Sequence, residues 1–228
     1  MVNSLALIFA IAISIAHYYA ETLHLHKQRD KIRSLAAGVL MAFLILDLFP
    51  RLFLNVSLVN NSLFLFILIG FSLLHLVEKY IYQHASKNKK LKELREVHAV
   101  IFFIYFTFIG ILIVNITNQS PIGGLLFFIP LLFHTTIGTI SMKEIHSTMK
   151  ENKLIRLSLS VSPLIGLLIA TYFFIPPIIN HSLLALISGV LLYIITREVI
   201  PKENKGDPID FLLGVSIYSI VIVFTWII

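Results

Sequence analysis

The sequence predicts an all-α polytopic membrane protein of about eight transmembrane helices. Three observations predict it. The 228 residues are 57% hydrophobic and only 13% charged, with a mean hydropathy of +0.90, whereas a soluble domain carries roughly 25% charge. The apolar residues fall into runs of about 20, the length that crosses a hydrocarbon core. The connections between runs alternate between basic and uncharged, as in a chain threaded back and forth through a bilayer.

The runs place helices near 4–24, 34–54, 60–82, 97–116, 122–142, 156–177, 183–199 and 209–227. Eight helices leave little chain for anything else, so residues 1–228 read as a single transmembrane domain. The opening MVNSLALIFAIAISIAHYYAETL lacks a basic leader and a small-residue cleavage site, so it reads as a first helix rather than a signal peptide. Cysteine is absent, which excludes disulfides, thiolate metal sites and a cysteine nucleophile. The net charge of +6 indicates no nucleic-acid partner here, because its placement follows the membrane.

The connections after helices 1, 3, 5 and 7 are basic: HKQRDKIR (26–33), HASKNKKLKELR (84–95), KEIHSTMKENKLIR (143–156) and REVIPKENKGD (197–207). Those after helices 2, 4 and 6 are nearly uncharged: NVSLVNNS (55–62), NITNQSP (115–121) and PPIINHS (176–182). Of the 18 Lys and Arg, all but Arg51 fall on one side of this arrangement. Short basic loops stay cytoplasmic during insertion. The expected topology therefore has both termini on the non-cytoplasmic side, in a plasma (cytoplasmic) membrane. Asn-X-Ser/Thr triplets at Asn55, Asn60, Asn115, Asn118 and Asn180 read as ordinary loop chemistry.

Two segments repeat. AAGVLMAFLILDLFP (36–50) matches LISGVLLYIITREVIP (186–201), with Pro50 and Pro201 each 12 residues after Gly38 and Gly189, and with Asp47 and Glu198 three residues before the prolines. The helices that follow also match, Gly70/Ser72 with Gly214/Ser216. Helices 2 and 7 run in opposite directions in this topology, so the repeat, helices 2–3 and 7–8, is inverted. Inverted repeats mark secondary transporters, which bind substrate between the halves. Small residues also serve plain helix packing.

Ionisable residues inside spanning helices are costly and mark functional candidates. His17, Glu21 and His24 share one face of helix 1, and His75 and Glu78 share one face of helix 3. His98, Glu144, His146 and Glu198 lie at similar depth near the cytoplasmic ends, and His134 sits near mid-span in helix 5. Imidazole with carboxylate suits zinc and related divalent ions and equally suits a proton relay. Interfacial residues also reach water on their own account, and a lone intramembrane histidine can serve a neighbouring helix as a hydrogen-bond partner. Asp47 stands four residues before Arg51, the spacing of a local ion pair.

The chain resembles the Zrt/Irt-like (ZIP) metal transporters. The resemblance is clearest at SLAAGVLMAFLILDLFP (34–50), HLVEKYIYQH (75–84), SGVLLYIITREVIP (188–201) and FLLGVSIYSIVI (211–222). It implies eight helices with inverted repeats and transport of a divalent metal ion, with zinc foremost. The family's binuclear site uses His-Asn-x-x-Asp-Gly in helix 4, His-Glu/Lys-x-Pro-Glu-Gly in helix 5 and a Glu before a Pro in helix 6. With the glycines set on Gly110 and Gly138, those places hold Tyr105, Phe106 and Ile109, then Phe133, His134 and Ile137, then Ser162 before Pro163. Of these, only His134 carries a side chain able to bind a metal. The chain is thus similar to a divergent member with the site residues largely replaced.

The reading that follows is a ZIP-like transport protein for divalent metal ions with a degenerate central site. The alternatives are a non-transporting ZIP-like membrane protein, or an intramembrane metal-dependent hydrolase on His17, Glu21, His24 and His75; an enzyme is the least favoured. The metal-ligand candidates are His17, Glu21, His24, His75, Glu78 and His134, with any tight site expected toward the cytoplasmic ends. No resident cofactor is expected. The partners are the lipid bilayer, a divalent ion as substrate and, as an assembly open to the chain, a homodimer.

The orientation is directly testable, since the absence of cysteine gives a clean background. Single cysteines at 84–95 should resist an impermeant thiol reagent in intact cells, while those at 57–61 react. The reverse pattern would overturn the topology.

Overall fold

The computed structural model describes residues 3–20, 29–54, 61–84, 90–145, 153–201 and 206–227. Among them are eight helices. They are α1 (Ser4–Ala20); α2 (Arg29–Phe43, continuing through Leu44–Leu48 to Phe49–Leu54); α3 (Ser62–His84); α4 (Lys90–Gln119); α5 (Pro121–Ile145); α6 (Lys153–Tyr172); α7 (Pro177–Ile194, continuing through Ile195–Val199); and α8 (Pro208–Ile227). Six are long and apolar enough to cross a membrane, while α1 and the apolar part of α5, Pro121–Ile137, are shorter. At 17 residues α1 is at the lower limit for a span.

Buried side chains from all eight helices join one apolar cluster, running from Phe9 in α1 through Phe43, Leu74, Ile109, Phe127, Leu167 and Leu191 to Ile222 in α8. The outer faces are apolar too. Leu65, Leu68 and Leu76 on α3 and Leu212, Ile220 and Phe224 on α8 are all exposed. Helices apolar all round belong in lipid, and the chain is an all-α polytopic membrane protein.

The ends of the helices depart from expectation at three places. α2 starts at Arg29 instead of near 34. α4 starts at Lys90 instead of near 97, because KLKELREV is built of strong helix formers; charge halts the membrane, not the helix. The break between α6 and α7 falls at 173–176, several residues early. Pro176 is extended (φ −57°, ψ 144°), as a residue before proline prefers, and Pro177 takes the first position of α7, where its missing N–H costs nothing. Asn180, expected in a loop, is therefore helical and buried, and it accepts a 2.8 Å bond from Asn115 of α4. Residues 21–24 of the expected first helix, and Asn55 and Asn60, lie outside the described residues.

Glycine sets the closest helix contacts. A methyl on Gly38 would strike the Phe211 carbonyl oxygen and the Val215 nitrogen of α8, and one on Gly214 would strike Leu35 and Val39 of α2. A methyl on Gly189 would strike the Ile67 carbonyl of α3, and one on Gly70 would strike Leu186 and Val190 of α7. Gly110 and Gly166 lock α4 to α6 in the same way, against Pro163 and Thr107. Without Cβ atoms the backbones approach to van der Waals contact, which is the main attraction available between helices in lipid.

Four prolines shape the helices. α2 and α7 each carry one π-helical turn, closed by the Phe49 N–H on Leu44 and by the Ile200 N–H on Ile195, just before Pro50 and Pro201. Such a turn absorbs the ring that would otherwise strike the preceding carbonyls. Pro130 and Pro163 lie inside α5 and α6 and free the carbonyls of Leu126 and Leu159. Tyr218 of α8 donates its hydroxyl to Leu126 O at 2.5 Å, and Ser162 donates to Leu159 O at 2.7 Å. Both freed acceptors are thus satisfied, as a dry environment requires.

Tyr218→Phe should destabilise the folded protein by about 1 kcal/mol, the scale of an intramembrane hydrogen bond. In a Pro130→Ala background, residue 130 regains an N–H for Leu126, and the same substitution should cost less than half as much. Unfolding of the four proteins in detergent measures the cycle; equal costs in both backgrounds would refute the proline explanation.

Candidate functional site

The intramembrane ionisable residues sort into separate groups. α3 packs on α7 and α4, whereas α1 packs on α6, α5 and α4. Helix spacing groups His17 with Glu21 and His24, which lie outside the described residues; in the bundle His17 and His134 each lie near Phe106.

The first group surrounds Glu78 of α3, which is 8% exposed. Its Oε1 accepts from Nε2–H of His98 on α4 at 3.1 Å. Its Oε2 accepts from the Tyr193 hydroxyl on α7 at 2.8 Å, with Nε of Arg197 at 3.8 Å. Both carboxylate oxygens are therefore engaged, as a buried charge demands, and one side chain ties three helices. His75 lies one turn away on α3 and is exposed; its ring centroid is 6.1 Å from that of Tyr193.

A second buried carboxylate, Asp47, sits within the π-helical turn of α2, Leu44–Leu48. Arg51 donates to it through Nε at 2.9 Å and Nη2 at 2.8 Å, a two-pronged pair that is the strong form of this interaction. It is the local pair that the four-residue spacing indicates.

The third group lies in the interior of α1, α4 and α5. His17, Tyr105 and His134 are 4%, 3% and 3% exposed. The Phe106 ring stands between the histidines, edge-on to His17 with centroids 4.8 Å apart and 6.1 Å from His134. The Tyr105 ring is 5.6 Å from His134. Thr135 and Thr136 turn their hydroxyls back to Leu131 and Leu132, as threonines in helices do, and contribute nothing to this group. Ser162 is spent on the Leu159 carbonyl.

Of the six metal-ligand candidates, His17 and His134 thus flank one ring, Glu78 and His75 belong to another part of the bundle, and Glu21 and His24 lie outside the described residues. Among the described residues no three His, Asp or Glu side chains gather closely enough to hold a metal. The sequence reading missed Tyr193 as the second donor to Glu78, because a tyrosine in a spanning helix is ordinary near an interface. The sequence places Arg197 in a basic loop, and its position one turn beyond Tyr193 is the signal that it reaches Glu78.

The Glu78 group should act as a unit. Glu78→Ala should destabilise by about 1–3 kcal/mol, the loss when buried donors are left unpaired. Tyr193→Phe should cost about 1 kcal/mol, and much less once Glu78 is already Ala. Additive losses in a double-mutant cycle would show that the hydroxyl and the carboxylate act independently. Comparison with known proteins gives no match to a family model and none to a curated protein.

Proposed function

We propose that the chain is a ZIP-like membrane transport protein, built as an inverted repeat of α2–α3 and α7–α8, whose cargo is a metal ion. The observation that carries this reading is the reciprocity of the glycine contacts. Gly38 meets Phe211, and its counterpart Gly189 meets Ile67, the residue that aligns with Phe211. Gly70 meets Leu186 and Val190, and its counterpart Gly214 meets Leu35 and Val39, the residues that align with those two. The π-helical turns at Leu44–Leu48 and Ile195–Val199 fall in the same register. Chance likeness between apolar helices supplies matching leucines; it does not supply matching partners. Inverted repeats of this kind mark secondary transporters, which place their substrate site near the membrane midplane.

Divalent ions are the cargo class that the resemblance implies. The shortage of ligands favours a second reading, a non-transporting protein on the same scaffold. The hydrolase reading needs three converging ligands and an open position for water, and no observation favours it. Vesicles containing the purified protein should take up at least one ion from a panel of zinc, iron(II), manganese and cadmium faster than empty vesicles. If none is taken up, the non-transporting reading replaces this one.

A further inference from the structure

Proteins pack as densely as organic crystals, so a sizeable gap between helices calls for something to fill it. One such gap opens at the end of α2. α2 packs on α8 and α5, whereas α3 packs on α7 and α4, so these consecutive helices diverge instead of closing on each other. Between them lies a groove of about 410 Å³, within the size range of small-molecule sites. Phe49 and Phe53 of α2, Phe64, Leu68 and Phe71 of α3 and Leu192 of α7 line it. The rings of Phe53 and Phe64 meet with centroids 5.3 Å apart. Phe53 and Leu68 are 62% and 59% exposed, so the groove opens on the outer face of the bundle, where the lipid is.

The second repeat cannot build the same groove. α2 continues as a helix after its π-helical turn, through Phe49–Leu54, and Phe49 and Phe53 come from that segment. α7 ends its π-helical turn at Val199, and Ile200 is already extended (ψ 121°). The groove is therefore a local feature of one half, not a by-product of the shared architecture.

We propose that this groove is a lipid-binding site that holds one acyl chain between α2 and α3. Three observations select that occupant. Every side chain lining the groove is apolar, so a ligand that brought polar groups into it would leave them unpaired. A helix from a second copy, 10–12 Å across, takes up roughly 400–600 Å³ per turn, so the groove has room for about one turn and not for a spanning helix. Helices in lipid associate through small residues, whereas Gly70 of α3 is already turned to Leu186 and Val190 of α7, and α3 shows Leu65, Leu68 and Leu76 to the outside. A thin, flexible chain follows such a space and makes dispersion contacts with fixed side chains on several sides. The site stands apart from the transport reading and needs no ion.

Native mass spectrometry of the detergent-purified protein reads the lipid directly. The wild type should retain one phospholipid. Phosphatidylglycerol and phosphatidylethanolamine with the same long chains should be retained alike, because no charge lines the groove, and a short-chain phosphatidylglycerol should not be retained. Leu68→Trp fills the groove and should lose the lipid, while Leu212→Trp, on the exposed face of α8, should keep it. Added long-chain lipid should raise the melting temperature of the delipidated wild type and leave that of Leu68→Trp unchanged. Should Leu68→Trp misfold, Phe53→Trp fills the same space from an exposed position. The proposal is overturned if the wild type retains no lipid, if retention follows the headgroup instead of the chain, or if the lipid survives Leu68→Trp and Phe53→Trp. Loss of the lipid in Leu212→Trp as well would show an unspecific lipid belt and overturn it too. A wild-type dimer that falls apart in Leu68→Trp would make the occupant a second copy and refute the lipid.

Discussion

In a bilayer, two leucine-faced helices gain little by exchanging lipid for each other, because an acyl chain is as good a neighbour as a leucine. Association has to come from contacts that lipid cannot make. In this protein those contacts are backbone against backbone, at Gly38, Gly70, Gly189 and Gly214. The pairing of α2 with α8 and of α3 with α7 follows, and with it the placement of everything else. Tyr218 reaches Leu126 only because α8 lies close to α2 and α5, and Tyr193 reaches Glu78 only because α7 lies against α3.

The same solvent dictates how polar groups are handled. No water is at hand to rescue a free carbonyl, so the acceptors released by Pro130 and Pro163 are taken by Tyr218 and Ser162. The carboxylates of Asp47 and Glu78 are each held by two or more donors. By contrast, Nδ1 of His17, both ring nitrogens of His134 and the Tyr105 hydroxyl are buried without a partner.

The fold was legible because lipid imposes a composition. Runs such as 60–82 and 209–227 can be little other than spanning helices, and the Gly-to-Pro spacing in helices 2 and 7 exposed their likeness. Ends were harder to place. A charged extension such as Lys90–Val97 continues a helix beyond the membrane, and Pro177 starts α7 within what resembles a loop. The site was legible only in part. Spacing along one helix tells which residues share a face, so it grouped His17 with Glu21 and His24. It cannot tell which neighbour that face meets. The company of His17 was decided by the packing of α1 on α4 and α5, and the role of Tyr193 by α7 lying on α3; both are facts of tertiary structure.

The order of pairing has a temporal side. The glycine partner of α2 is α8, and a ribosome adding roughly 5–20 residues per second needs on the order of ten to thirty-five seconds to go from Gly38 to Gly214. During that interval the glycine face of α2 has only lipid against it. α2 therefore spends most of the chain's synthesis without its glycine partner, its small-residue seam open to other nascent membrane proteins. A truncation before residue 208 leaves that seam open for good, and cellular quality control would meet the protein in that form.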